Sequence, residues 1–305
     1  MKPIFAFSGQ GAQFAGMGKD LYDSAPAARK VFDDADDALG YSLTAVIFDG
    51  PDEELTRTRI CQVAIYTMSC ACLEAFRAAH PEIRPFAAGG LSLGEYGALY
   101  AAGSFSFVEG LLLLNKRAAL MDEACAANPG TMASVLGGDE SVIREVCSEC
   151  GIDVANYNSP GQIVISGVVS GIEKATAMLK DKGVKRVIPL AVAGAFHSRL
   201  MAPAGEGLKA VLADTAIAMP QVPVYHNFTA EPAKDAAEIR DNLYHQVAGS
   251  VRWAQSVQRM IAAGADTMIE FGPGNVLTNL LRRTDAEVKP YNINSFESLN
   301  NFDKE

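Results

Sequence analysis

The sequence predicts an α/β protein in two parts, a large domain on a mostly parallel sheet and a ferredoxin-like small domain inserted into it. Three observations predict this. Short apolar runs alternate with longer helix-compatible stretches toward both ends of the 305-residue chain, the pattern of parallel strands joined by crossover helices. Between Thr131 and Ala193 the order becomes strand, helix, strand, strand, helix, strand, which is that of a ferredoxin-like unit. Gly90-Leu91-Ser92-Leu93-Gly94 stands between an apolar run and a helix-compatible run, the setting of a strand-to-helix serine elbow. The expected boundaries are residues 1–127 and 194–305 for the large domain and 128–193 for the small one.

Taken in order, Pro3 to Phe7 is a buried strand ending in the glycine-rich loop Ser8 to Gly18. That loop has neither G-x-G-x-x-G spacing nor a Walker lysine, so it is built to present backbone N–H groups. Helices are expected at about 25–39, 52–57 and 60–79, the last stopped near His80-Pro81. Phe86-Ala87-Ala88 is the strand into the elbow, and the elbow makes the large domain α/β-hydrolase-like. A leucine-rich helix from Phe107 to Ala126 is broken by Asn128-Pro129-Gly130. The small domain reads as strands 131–136, 152–157, 162–167 and 185–192 with helices 139–150 and 171–182. The large domain then resumes with a helix at 203–214, a strand at Val222 to His226, helices at 236–247 and 253–263, a strand at Thr267 to Phe271 and a helix at 276–283. The tail from Asn294 to Glu305 is expected to be loose.

A net charge of -10, from 26 Lys and Arg against 36 Asp and Glu, argues against a nucleic-acid or anionic-membrane surface. The N-terminus lacks the apolar core of a signal peptide, and Leu111 to Leu114 is too short to span a bilayer, so a cytoplasmic protein is expected. The six cysteines then read as free thiols. Cys147 and Cys150 form a C-x-x-C, but at the end of a helix and without a second pair, so they read as helical cysteines one turn apart. No metal and no nucleotide redox cofactor is implied.

An elbow lifts its serine onto a helix N-terminus, where free N–H groups favour developing negative charge. A serine nucleophile also needs a base, and four histidines are available. His80 reads as a surface residue at a helix end, His226 lies in an expected strand, and His245 lies on a polar helix face. His197 follows Gly194-Ala195-Phe196 at the return to the large domain, where loops at strand carboxyl ends assemble α/β sites. It is the candidate base. Arg117 shares a helix face with Leu113, Leu120 and Ala124, a permanent cation on an apolar stripe. Such a residue serves either an internal ion pair, Glu95 being one partner, or a substrate carboxylate taken bidentately.

Gly9-Gln10-Gly11-Ala12-Gln13, the elbow through Glu95-Tyr96, Arg117, Asn156 to Gln162, Ala195-Phe196-His197-Ser198, Val251-Arg252-Trp253 and Gly272-Pro273-Gly274 occur in one order. From about Ile4 to Arg283 the chain resembles the malonyl-CoA:acyl carrier protein transacylases of bacterial fatty acid synthesis. The resemblance implies a ping-pong reaction in which malonyl-CoA acylates Ser92, coenzyme A leaves, and the phosphopantetheine thiol of acyl carrier protein takes the malonyl group. It implies His197 as general base, the side-chain carbonyl of Gln246 as its orienting partner, and the N–H groups of Gln10 and Leu93 as oxyanion hole. Arg117 would bind the malonyl carboxylate, and the Ala195-Phe196-His197-Ser198 motif is of the malonyl-selecting kind.

Three positions depart from the family pattern: Leu91 where His is frequent, Ser8 where Pro is frequent, and Asn275 where Lys is common. Lys180, Lys182, Lys185 and Arg186 with Arg282 and Arg283 are the candidate patch for an acidic carrier protein, and a monomer is expected. The competing readings are a discrete acyltransferase loading a polyketide or polyunsaturated lipid synthase, a serine hydrolase, and a non-catalytic carrier-binding scaffold. The hydrolase would need a His-Gly-Gly oxyanion loop that this chain lacks, and it would have no use for Arg117.

Overall fold

Two four-stranded sheets organise the chain, and the composition of each strand accounts for its place. The computed structural model describes residues 1–302. In chain order the strands are β1 (Pro3–Phe7), β2 (Ala87–Gly90), β3 (Thr131–Leu136), β4 (Asp153–Ser159), β5 (Gln162–Gly167), β6 (Arg186–Pro189), β7 (Thr267–Phe271) and β8 (Lys289–Ile293). The first sheet runs β2-β1-β7-β8 with every pairing parallel. Its central strands β1 and β7 are buried along their whole length, as strands covered by helices on both faces must be. Phe7 is level with both Gly90 and Phe271, so the elbow, the glycine-rich loop and the Gly272-Pro273-Gly274 turn leave the sheet side by side.

The second sheet runs β4-β5-β3-β6, wholly antiparallel, the strand order of a ferredoxin-like unit. Val135, Ile143, Ile165, Ala175 and Leu179 form its own apolar core with the two helices that cover it. Backbone bonds tie it to the first sheet's layer: Tyr157 N–H donates to Val251 O at 2.8 Å and Val251 N–H to Ala155 O at 2.8 Å.

The helix Phe107–Ala127 starts at a capping box made by Ser106 and Glu109, a device that contributes about 1 kcal/mol. Leu111, Leu113, Leu114 and Arg117 are all buried on it. Five of the six thiols are buried and Cys150 is half-buried. Among the described residues no helix is long and apolar enough to cross a membrane.

The structure departs from the sequence reading in several places, with helices Lys19–Ser24 and Leu43–Asp49 added to those expected. The segment Val222 to His226 forms only isolated bridges, Val224 with Ala88 and Tyr225 with Pro232. Pro220 and Pro223 have no N–H to give, so no ladder propagates. Lys289–Ile293, not foreseen as a strand, adds the sheet's edge. The tail is ordered as far as Phe302: Ser295 caps a helix Phe296–Asn301, and Phe302 packs edge-on against Phe76. Residues 303–305 of that expectation lie outside the described residues. His80 is buried against Phe76 and Phe302 instead of lying on the surface, because the ordered tail covers it.

Candidate active site

The elbow is shaped by close backbone approach. A Cβ on Gly90 would fall 2.1 Å from Gly94 O, so no larger residue fits where the strand folds onto the helix Gly94–Ala101. Ser92 at its tip adopts a left-handed φ of 55°, a conformation L residues hold only when their surroundings impose it. The glycine-rich loop lies directly against this turn, since a Cβ on Gly9 would meet Leu91 O at 2.8 Å. Gln10 and Leu93 therefore flank Ser92 in one cleft. Among the described residues neither of their backbone N–H groups meets an acceptor, which leaves two donors open beside the serine hydroxyl.

His197 also has a φ of 55°, and its ring is placed by two contacts. Nε2 lies 2.8 Å from Ser92 Oγ, and Nδ1 lies 2.8 Å from the backbone carbonyl of Gln246. A carbonyl oxygen only accepts, so Nδ1 carries the proton and Nε2 is free to take one from the serine. Burial, and then the charge of Arg117, push the His197 pKa down to about 4 against the weaker upward pull of the Gln246 carbonyl. The ring is thus neutral at pH 7. The expectation for Gln246 needs correction: its backbone carbonyl meets the histidine. Its side chain points elsewhere, Nε2 donating to Ser92 O at 3.0 Å and to Glu95 Oε2 at 2.8 Å. Helix geometry accounts for this, because the carbonyls of the last turn of Ala236–Ala248 have no N–H ahead of them.

Arg117 is 1% exposed. Nη1 donates to Gln62 Oε1 at 2.5 Å, while Nη2 donates to Ser92 Oγ at 3.0 Å and Gln246 Oε1 at 2.9 Å. Nε has no partner among the described residues. The internal ion pair with Glu95 is not formed. Glu95 instead faces His226 Nδ1 at 2.7 Å, with Asn227 N–H and Gln246 Nε2 each at 2.8 Å. A buried guanidinium therefore stands beside the Ser92 hydroxyl with neutral hydrogen-bond partners only.

The cleft has a volume of about 180 Å³ and is lined by Gln10, Ser92, Arg117 and His197 together with Met132, Asn156 and Val164 from the strands of the second sheet. Ser92, His197, Gln246, Gln10, Leu93 and Arg117 are thus brought together. Sequence reasoning missed Gln62, Asn156 and Asn227, although Asn156 stood in a quoted motif. Of the three departures, Leu91 lines the cleft, Ser8 Oγ donates to Glu270 Oε1 at 3.3 Å, and Asn275 Oδ1 accepts from Asn279 Nδ2 at 3.1 Å.

A strained serine bonded to a neutral histidine at the carboxyl end of a parallel sheet, with open N–H donors beside it, defines a serine-type acyl-transfer protein. The chain belongs to the acyl transferase domain family, whose model matches residues 4–300. It is 43% identical to the malonyl CoA-acyl carrier protein transacylase of Bacillus subtilis (strain 168) over 303 residues, covering 98% of this chain and 95% of that protein. The crystal structure of acyl-carrier-protein S-malonyltransferase from Burkholderia pseudomallei 1710b superposes with a TM-score of 0.95 at 38% identity, covering both chains fully (100% and 100%). A type II PKS acyl-carrier protein in complex with its malonyl-transacylase gives a TM-score of 0.94 at 35% identity, over 99% of this chain and 98% of that one.

Proposed function

We propose that this enzyme transfers the malonyl group of malonyl-CoA to the phosphopantetheine thiol of an acyl carrier protein through a malonyl ester of Ser92, supplying fatty acid elongation. The observation that carries the reading is the buried Arg117 guanidinium, without a carboxylate partner and 3.0 Å from Ser92 Oγ. An acyl group on Ser92 that ends in a carboxylate would supply the guanidinium with an anionic partner.

His197 Nε2 takes the Ser92 proton as Oγ bonds to the thioester carbon, and the N–H groups of Gln10 and Leu93 receive the oxyanion. The C–S bond breaks, His197 returns the proton to the departing sulfur, and coenzyme A leaves. The carrier thiol then gives its proton to His197 and attacks the ester, and Ser92 leaves with that proton. The chemistry uses side chains and backbone only, with no metal or redox cofactor.

Support for carrier docking comes from one end of the small sheet. Arg186 is in register with Leu136 and Leu136 with Gln162, whose Oε1 accepts from Arg283 Nη1 at 2.9 Å. This relates Arg186 and Arg283 of the proposed patch, whose other members are Lys180, Lys182, which faces Glu145 Oε2 at 3.6 Å, Lys185 and Arg282. We place the enzyme in the cytoplasm as a monomer. Loading of a polyketide carrier is a second reading, favoured by the likeness to the complex with a type II PKS carrier.

Intact mass after brief mixing with malonyl-CoA tests the proposal. A malonyl adduct on the parent protein is expected, absent from Ser92→Ala and discharged by fatty-acid carrier protein. Consumption of malonyl-CoA without an adduct would point to hydrolysis, and discharge only by a polyketide carrier would favour the second reading.

A further inference from the structure

Asn227 lies 135 positions from Ser92 in sequence, yet its four polar groups all meet the elbow or what supports it. Its Oδ1 accepts the Ser92 N–H at 2.7 Å, and its Nδ2 donates to Gly90 O at 2.7 Å. These bonds join the residues on either side of Leu91. Its backbone N–H donates to Glu95 Oε2 at 2.8 Å, and its backbone carbonyl accepts from Arg252 N–H at 2.9 Å. Arg252 follows Val251, which is bonded to β4 of the second sheet.

From this we infer that Asn227 is a positioning residue for catalysis: it holds Ser92 in its left-handed conformation and so aims Oγ at His197 and the Leu93 N–H into the cleft. The physical case rests on the strain. At a φ of 55° a serine returns to ordinary backbone geometry unless bonds on both sides hold it: Asn227 holds the N-terminal side through Ser92 N–H and Gly90 O, and Gln246 Nε2, 3.0 Å from Ser92 O, holds the other. Asn227 is itself wholly buried, and its backbone is fixed by Glu95 and Arg252, so the clamp is not free to follow the elbow. Loss of its amide leaves the Ser92 N–H and the Gly90 carbonyl without these partners and frees the turn to relax. Displacement of a reacting atom by about 1 Å costs on the order of 100-fold in rate.

This inference rests on Ser92 being the nucleophile, and the two fail differently. The experiment is single-turnover acylation by malonyl-CoA, read by intact mass, for the parent, Asn227→Ala and Asn227→Asp, with thermal midpoints alongside. Absence of an adduct from the parent overturns the reading of Ser92. With the parent acylated, Asn227→Ala is expected to acylate about 100-fold more slowly, with half-saturation by malonyl-CoA within threefold of the parent. Asn227→Asp keeps an acceptor for the Ser92 N–H while adding charge beside Glu95. It is expected to acylate faster than Asn227→Ala while melting at a lower temperature. A merely structural role predicts the reverse, rates that follow the thermal midpoints. That result, or an Asn227→Ala rate within threefold of the parent, overturns the inference. Should alanine not fold, Asn227→Ser, which lacks the reach to both partners, carries the same expectation.

Discussion

On one side of Ser92, Asn227, Glu95 and the Gln246 amide answer one another so that both Glu95 oxygens and both Asn227 amide groups have partners. On the other side, Arg117 has neutral partners only and an Nε with none among the described residues. Both regions are buried, so solvent does not explain the difference. Glu95 acts on Arg117 only at a distance, so the guanidinium has no carboxylate in direct contact, and burial lowers its pKa. On the proposed mechanism the Glu95 and Asn227 groups have their partners before substrate arrives, and Arg117 gains its carboxylate partner from the substrate. In the proposed reaction, placement of Ser92 and choice of acyl group thus fall mainly to different residues, joined where Arg117 Nη2 meets Ser92 Oγ and Gln246 Oε1.

Removing the open side tests this most strongly. Arg117→Ala is expected to lower malonyl transfer by about 100- to 1,000-fold while acetyl transfer holds or rises. Equal losses for the two donors would mean that Arg117 serves the serine and not the acyl group. Gln246→Ala removes contacts to Arg117, Glu95 and Ser92 O but keeps the carbonyl that meets His197, so a loss of only about tenfold is expected, against at least about 1,000-fold for His197→Ala. Comparable losses in the two variants would restore the side chain as the orienting group.

The pH profile sharpens the comparison further. His197 must be neutral to act as base, and its pKa is depressed to about 4, so kcat/KM should hold as pH falls through 6 and decline only near 4. Arg117 is the second cause of that depression, after burial. In Arg117→Ala, followed with acetyl-CoA, the decline should therefore begin at higher pH than in the parent. An acid limb at 6.5 in the parent would contradict the buried, cation-flanked ring. The smallest effect expected is from Lys185→Glu with Arg186→Glu. It should raise KM for carrier protein several-fold and leave KM for malonyl-CoA alone, because exposed charges act mainly on encounter. An unchanged carrier KM removes these two residues from the docking surface.

Much of this was legible in the sequence because its signals are local. β1 and β7 are apolar runs bounded by glycine turns, the elbow has its glycines, and Arg117 is conspicuous as a cation among leucines. β8 was hidden because Lys289-Pro290-Tyr291-Asn292-Ile293 is a half-exposed edge strand with a proline in it. Val222 to His226 misled for the opposite reason, being apolar enough for a strand yet interrupted by proline. Asn227 gave no signal, since its meaning lies in partners far off in sequence. Gln246 gave half of one: the residue is placed as expected, but the atom that meets His197 belongs to the backbone, which every residue has.

The six thiols have a further consequence for a protein that passes an acyl group from one sulfur to another. Any thiolate of its own near the ester would be acylated in place of the carrier and trap the group. Burial raises the thiol pKa to about 12 for Cys61, Cys72 and Cys147, to about 11 for Cys125, and well above its ordinary value for Cys70. None of the six lines the cleft. Those five thiols stay protonated at neutral pH, so the proposed Ser92 ester would be left to a thiol brought from outside.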